Sequence, residues 1–178
     1  MSLFNYSNHE IFLITAHHDG HDGGFIATWF FPVTLIASCP RVLGVFSPHN
    51  FTFDLLWKSK RFVAHLLSLE QAELVPLFGL QSGRNINKFE KLKITRTKNN
   101  IPLLPKTCGW MECRIVDQLD SGDRSVILAD ATDQHQEEGH SPLRKSDLAQ
   151  KLSQDVLEAL HQKRINDGLR DTTCIKKY

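Results

Sequence analysis

The chain has 178 residues, of which 41% are hydrophobic, and its 21 basic and 20 acidic side chains give a formal net charge of +1. This length and composition predict one globular domain over residues 1–178, with ample chain for a hydrophobic core. A charge so close to zero provides no electrostatic footprint for nucleic acid or for a membrane surface, so we expect neither as a partner. The four cysteines form no CxxC pair and indicate reduced thiols, which favours a cytoplasmic protein.

The first apolar segment, residues 10–16, predicts a strand. The Asp-Gly and Gly-Gly pairs of the HHDGHDGG sequence that follows predict a hairpin loop over 17–24. Three histidines and two aspartates in this loop would also suit a metal ion by composition alone. Zinc requires ligands in a fixed geometry, which a solvated turn does not provide. We therefore expect a turn here and no metal.

Residues 24–52 read GFIATWFFPVTLIASCPRVLGVFSPHNFT, and residues 23–40 contain no charged side chain. An uncharged run of this length is long enough to span a membrane as a helix. Pro32 would kink such a helix, however, and the run is rich in the aromatic and β-branched residues that favour strands. We therefore predict three strands, over 24–30, 33–38 and 41–47. The first is apolar on both faces, which is typical of a strand inside a barrel or beside a flat ligand.

The third of these strands leads into a predicted helix over 52–59, for which Asn50 or Thr52 can act as the N-cap. A strand that runs into a helix N-terminus provides backbone N–H groups and hydroxyls, which together form an anion site. The capping box SLEQ at residues 68–71 predicts a second helix, which ends at Gly79.

Three further strands are predicted over 62–67, 109–119 and 124–133, and the last two form a hairpin. A final helix is predicted from Ser146 to about Asn166, closed by Gly168. Its apolar residues at i, i+4 spacing share one face: Leu148, Leu152, Val156 and Leu160. Such a helix packs on the rest of the domain or on a second subunit.

The order GFxATW, SxPRVLxV, SPHNFT and RFVAHLL, followed by Lys88-Phe89 and the hairpin MECRIVDQLDSGDRSVILADA, resembles the flavin reductase-like family of FMN-binding proteins. The resemblance covers residues 8–148. It implies a mainly β fold, an antiparallel split β-barrel of Greek-key type with flanking α-helices, followed by a C-terminal helix over 146–168. The chain has no Rossmann, Walker, HExxH or GxSxG motif, so a bound cofactor is the economical source of chemistry.

The resemblance implies that the protein is an oxidoreductase that binds FMN and transfers a hydride from NADH or NADPH to the flavin N5. Free flavin or a partner oxygenase would then take the electrons. In this family the flavin lies near a subunit interface, so a homodimer is expected. Two alternatives stay open. One is an FMN-bound electron-transfer protein similar to flavoredoxins, and the other is a non-enzymatic flavin-binding or sensing module.

The needs of FMN and the family pattern together suggest a set of contacts. Residues 25–29 would form a flat apolar wall, in which Ala27 is small enough to let the ring approach the backbone. The complete expected set is Ala27, Thr28, Trp29, Ser47, His49, Asn50, Thr52, His65, Lys88 and Phe89. Structural alternatives exist for four of these residues: Trp29 as a core aromatic, Thr52 as a helix cap, His65 as a core histidine and Lys88 on a solvated face.

Arg124 departs from the family pattern, because many relatives that use nicotinamide have Gly-Asp-His at this hairpin turn. Here the turn reads Gly122-Asp123-Arg124. Arg124 could pair with Asp123 or Asp120 on the surface. It could instead contact the nicotinamide dinucleotide and favour NADPH, because a guanidinium stacks on rings and binds phosphate. A third outcome is that the donor site is lost. We assign no other catalytic residue.

Overall fold

A computed structural model describes residues 3–177, without the side chains of residues 4 and 5. Residues 1, 2 and 178, which we counted within the predicted domain, lie outside the described residues. The strands are β1 Phe12–His18, β2 His21–Ala27, β3 Phe30–Pro32, β4 Arg41–Phe46, β5 Arg61–Leu66, β6 Thr95–Arg96, β7 Pro102–Leu103, β8 Gly109–Asp120 and β9 Ser125–Gln136. The α-helices are α1 Phe51–Ser59, α2 Leu74–Leu80, α3 Leu148–Lys151 and α4 Gln154–Asp171.

Seven strands form one antiparallel sheet in the order β2-β1-β5-β8-β9-β4-β3. The two edge strands, β2 and β3, are consecutive in the chain and are separated only by Thr28 and Trp29. The sheet must therefore curl until its edges meet. Val45 N donates to Trp29 O at 2.9 Å, which continues the pairing of β3 with β4 into this link. The expected antiparallel split barrel with flanking helices is confirmed.

Two hairpins form where they were predicted, but the loop of the first is shorter and the strands of the second are longer than expected. The β1–β2 loop expected over 17–24 is reduced to Asp19-Gly20, because His18 already pairs with His21. Both turn residues have positive φ, 50° and 75°, the conformation of a two-residue turn that suits Asp-Gly. The β8–β9 hairpin has twelve residues in each strand.

The strand predicted over 33–38 was wrong. Residues 33–40 form a loop closed by local bonds, from Ile36 N to Thr34 Oγ1 and from Cys39 N to Ile36 O. Three apolar side chains of this loop are exposed: Val33, Leu35 and Ile36. An apolar pattern predicts a strand only where a neighbouring strand provides hydrogen-bond partners, and here the sheet edge ends at Pro32.

The core consists of two clusters of buried side chains. One fills the barrel, where Phe46 makes edge-on contacts with Phe25 and Phe62 at centroid distances of 5.1 and 5.8 Å. The other lies outside the barrel, between the sheet and α2, and its aromatic residues are Phe78 and Phe89. Three leucines pack against this outer cluster: Leu148 in α3, Leu152 in the link between the two helices and Leu160 in α4. The C-terminal helices therefore dock on the barrel of the same chain.

The helix ends differ from the predictions for steric reasons. The capping box at 68–71 is present, but α2 continues through Gly79 to Leu80. A Cβ at Gly79 would lie 3.3 Å from Leu160, so the glycine permits close approach of α4 rather than ending α2.

The single helix predicted over 146–166 was also wrong, because it is divided into α3 and α4. Ser153 has extended backbone angles, φ −69° and ψ 156°, and lies at the N-cap of α4. The new helix continues past Gly168 to Asp171.

Neither a membrane-spanning helix nor a metal cluster is found in the part of the chain that the structure describes. Within residues 3–177 no helix is long and apolar enough to cross a membrane, and the uncharged run over 23–40 contributes strands and a loop. Over the same residues, no three His, Cys, Asp or Glu side chains are grouped as a metal would require. His17 of the first hairpin pairs with Asp22 instead, at 2.7 Å.

His65 of β5 is completely buried, and the backbone uses both of its ring nitrogens. Nδ1 donates to Leu13 O at 3.1 Å, and Leu104 N donates to Nε2 at 3.3 Å, which requires the neutral Nδ1–H tautomer. Burial lowers the pKa of His65 to about 4. The side chain thus connects β5 to β1 and to the segment after β7 as a neutral core histidine.

This burial predicts a loss of stability in mild acid. Between pH 6.5 and about 4 the unfolded chain binds a proton at His65 that the folded protein does not, so the free energy of unfolding falls as the pH falls through this window. The loss amounts to at most about 3 kcal/mol. His65→Asn should reduce this pH dependence in urea unfolding between pH 7.5 and 4.5. The exposed His161→Asn is the control, and equal slopes for wild type and His65→Asn would contradict the assignment.

Candidate functional site

Two cavities meet at Phe25 and Asn50, beside the N-terminus of α1. The first, which we call the apolar cavity, has a volume of about 390 Å³ and is bounded by residues 25–29, residues 45–47 and Leu160. The second, the cationic cavity, has a volume of about 200 Å³ and lies between the first residues of α1 and the loop over 79–84. Together they provide an elongated site with an apolar end and a positively charged end.

The strand that borders the apolar cavity has two different faces. The side chains of Phe25 and Ala27 belong to the core inside the barrel, whereas Ile26 packs against the outer cluster. The cavity is also lined by Val75 and Leu160, so it lies outside the barrel. A ligand there would contact the outer side and backbone of this strand, and Ala27 contributes mainly through its position in the backbone.

The cationic cavity combines a helix N-terminus with four basic side chains. Asn50 is the N-cap of α1 and makes no side-chain capping bond, while Thr52, in the first turn, is only 3% exposed. The basic side chains that line the cavity are Arg84, Lys88, Lys163 and Arg170, and none of the described lining residues is acidic. Helix N-termini and cations both favour an anion, so this end suits a phosphate.

Lys88 carries a buried positive charge without an acidic partner among residues 3–177. It is 6% exposed, and its Nζ donates to Gly24 O at 3.0 Å and to Phe78 O at 3.1 Å. Burial, assisted by the charge of Lys163, lowers the pKa of Lys88 to about 8. Because a buried cation is costly unless it is paired, an anion in the cationic cavity would stabilise it.

Arg84 connects the loop to α1 at the mouth of the cationic cavity. Its guanidinium donates to His49 O at 3.1 Å and to the Asp54 carboxylate at 2.7 Å. The sequence analysis assigned no role to Arg84, although it named Lys88 from the same segment. The only available signal was a basic residue next to Ser82 and Gly83, which is too common in loops to identify a site.

Arg124 lines the apolar cavity and forms an ion pair with the C-terminal helix. Its Nη1 lies 2.5 Å from Asp171 Oδ2 and 3.7 Å from Asp123 Oδ2. Asp171 is 4% exposed and also lies 2.7 Å from Arg170. Burial raises the pKa of Asp171, but hydrogen bonds from Arg124 and Arg170 outweigh it and hold the pKa below its ordinary value.

Of the two surface partners considered for Arg124, Asp123 lies 3.7 Å from its guanidinium, whereas the Asp120 carboxylate pairs with Lys176. Asp171 could not be foreseen as a partner, because we expected the last helix to end before Gly168.

The two cavities bring together most of the residues suggested from the sequence. Ala27, Thr28, Trp29, Ser47 and Arg124 line the apolar cavity, His49, Thr52 and Lys88 line the cationic cavity, and Asn50 lines both. Their binding roles stay predictions. Sequence reasoning did not connect α4 with this site, yet its residues line both cavities: Leu160, Lys163, Arg164 and Arg170.

Two of the suggested residues lie apart from the site. His65 is held in the core by backbone groups, so the alternative of a core histidine fits this geometry and a flavin contact does not. Phe89 is buried and packs on the ring of Phe78 at 5.3 Å between centroids. Phe89 is therefore a core residue that packs against α2.

A third cavity, of about 630 Å³, lies at the far end of the β8–β9 hairpin beside Trp110, His135 and His140. Although it is the larger space, it has neither a helix N-terminus nor a buried cation, and none of the suggested residues lines it. The joined pair of cavities is therefore the better candidate.

The reductase component of 4-nitrophenol 4-monooxygenase/4-nitrocatechol 2-monooxygenase from Rhodococcus opacus is 26% identical over 121 residues, which are 68% of this chain and 62% of that protein. This chain spans between 46% and 62% of the length of three curated relatives.

Two solved structures show the same fold. The FMN-binding protein from Thermus thermophilus superimposes with a TM-score of 0.70 at 22% identity, over 78% of this chain and 77% of that one. The NADH:FAD oxidoreductase from Streptomyces globisporus C-1027 gives a TM-score of 0.73 at 17% identity, over 80% and 83%. Residues 4–147 match the flavin reductase like domain. The chain therefore belongs to the flavin reductase-like domain family.

Proposed function

We propose that this protein binds FMN across the two joined cavities and reduces it with NADH or NADPH. The observation that carries the proposal is the pairing of an apolar cavity with a cationic cavity at a helix N-terminus, in a chain of the flavin reductase-like family. The flavin ring suits the first cavity, and its phosphate suits the second. Bound FMN would accept a hydride from the nicotinamide and pass two electrons to an acceptor.

The residues present fit this cofactor by their chemistry. Lys88, the hydroxyl of Thr52 and the first N–H groups of α1 would hold the phosphate. Thr28, Ser47 and Asn50 provide polar groups at the border of the apolar cavity, where they can hydrogen-bond to the polar edge of the ring. The apolar lining keeps water away, which strengthens those hydrogen bonds.

FMN is expected to bind more tightly than FAD. The cationic cavity is about half the volume of the apolar one, which suits a single phosphate group better than a dinucleotide. The names of the two structural relatives include one FMN-binding protein and one enzyme that uses FAD, so they do not decide between the two flavins.

A homodimer is the assembly we propose. Five apolar side chains of one uncharged segment are exposed, and the first of them also lines the apolar cavity: Trp29, Phe31, Val33, Leu35 and Ile36. Exposed apolar side chains concentrated in one segment favour an interaction surface. A second subunit on this patch would cover the open side of the flavin site.

The electron acceptor we propose is free flavin or a partner oxygenase. The name of the Rhodococcus opacus relative describes the reductase component of a monooxygenase, which supports such a division of labour.

An FMN-bound electron-transfer protein is the second candidate, and the ion pair between Arg124 and Asp171 favours it. If Arg124 is the residue that binds the nicotinamide dinucleotide, it is not free to do so, because it already pairs with a carboxylate of the same chain. Electrons would then come from another protein.

The phosphate role of Lys88 predicts a pH-dependent affinity for FMN. Lys88 is charged below a pKa of about 8, so FMN binding should weaken as the pH rises through that region and the cation is lost. Lys88→Met should lower FMN affinity about tenfold or more and remove this pH dependence. Fluorescence titration from pH 7 to 9.5 measures both effects. Exposed Lys91→Met is the matched variant, and riboflavin, which lacks the phosphate, controls for changes in the ring site. Equal losses for FMN and riboflavin would contradict a phosphate contact.

The reductase activity is tested by mixing the FMN-loaded protein with NADH or NADPH without oxygen in a stopped-flow instrument. We expect the visible absorbance of oxidised flavin to disappear with either nucleotide, and faster with NADPH. If neither nucleotide reduces the flavin within minutes, the reductase proposal fails and the electron-transfer protein takes its place.

A further inference from the structure

The C-terminal segment closes one side of the candidate site and lies beyond the region that matches the family. The family match ends at residue 147, whereas α4 begins at Gln154. Leu160 and Arg164 of α4 line the apolar cavity, and Lys163 and Arg170 line the cationic cavity. This helix therefore lines the candidate site from outside the matched region.

The end of α4 and the tail that follows it are attached to the β8–β9 turn at three points, and we call residues 171–176 the C-terminal strap. Asp171 pairs with Arg124 at 2.5 Å. The Cys174 carbonyl packs so closely on Gly122 that a Cβ there would collide with it. Lys176 N donates to Ser121 O at 3.0 Å, and its Nζ pairs with Asp120 at 2.7 Å.

The Asp171 carboxylate is held by basic groups at the border of the candidate site. Its carboxylate is almost completely buried, and three basic groups surround it: Arg124 at 2.5 Å, Arg170 at 2.7 Å and the His49 ring at 3.7 Å. All three groups also line the cavities, with Arg124 at the apolar one and Arg170 and His49 at the cationic one. A phosphate that approaches this border from solvent would meet cations that are already satisfied by a carboxylate of the chain.

We infer that the C-terminal strap is an internal competitor of the nicotinamide dinucleotide, which must displace Asp171 from Arg124 to enter the site. This inference rests on the proposed function, because it concerns access of the electron donor to the flavin. The docked strap keeps the donor out while it leaves the flavin cavities in place. Release of the strap frees Arg124 for a phosphate of the dinucleotide.

The test compares full-length wild type with Asp171→Asn, which keeps the shape of the side chain and removes its charge. NADP⁺ is the probe, because it carries the phosphates but cannot reduce the flavin, and calorimetry on the FMN-loaded protein measures its affinity. Asp171→Asn should bind NADP⁺ about fivefold more tightly or better, the lower end of typical coupling between sites. Glu158→Gln, an exposed change of equal charge on α4, should match wild type.

A second measurement follows the strap itself. Hydrogen–deuterium exchange at the amides of residues 173–176 should be faster in Asp171→Asn than in wild type, and NADP⁺ should accelerate it in wild type. Lys176→Glu, which opposes Asp120 with a like charge and leaves Arg124 unchanged, should act in the same direction.

The inference is overturned if Asp171→Asn binds NADP⁺ no better than wild type, or if its amide exchange over residues 173–176 is unchanged. Failure of the reductase proposal gives a different pattern. In that case NADPH would not reduce the flavin in any variant, whether or not the strap governs the binding of NADP⁺.

Discussion

The two-residue link between β2 and β3 is the constraint on which the rest of the structure depends. These strands form opposite edges of the seven-stranded sheet, so the short link Thr28–Trp29 can exist only if the sheet closes on itself. Closure brings the link beside the end of β4 and the start of α1, because Val45 bonds to Trp29 and Asn50 lines the same cavity. The candidate site is thus located at the closure of the barrel.

Charge distinguishes the two ends of the candidate site. The chain as a whole is nearly neutral, yet the cationic cavity is lined by four basic side chains, two of them from α4. Lys88 is the most informative of these, since its burial without an acidic partner among the described residues lowers its pKa to about 8. Burying the Lys88 charge is unfavourable, and an anion bound in the cationic cavity would offset that unfavourable free energy. Other cations near the site already have partners, as Arg84 has in Asp54 and Arg124 in Asp171.

The sequence predicted those parts of the fold whose patterns are local. The β8–β9 hairpin, α1 and the Asp-Gly turn were predictable because alternation, capping and turn chemistry act between near neighbours. The prediction of a strand over 33–38 was wrong because a partner strand would have to come from elsewhere in the sheet. The end of α4 was predicted wrongly because Asp171 is held by Arg124, which is 47 residues away in the chain. Most residues that line the cavities near α1 were named from their order in the sequence, whereas Arg84 and the α4 residues were not, because they reach the cavities only through the fold.

Hydrogen–deuterium exchange with and without ligand tests the central claim most directly, because it locates the flavin on the chain. The account predicts that FMN and riboflavin both protect amides at residues 26–29, and that only FMN also protects residues 51–53 at the start of α1. Protection confined to the third cavity beside Trp110, or equal protection of α1 by riboflavin, would contradict a flavin that spans the apolar and cationic cavities.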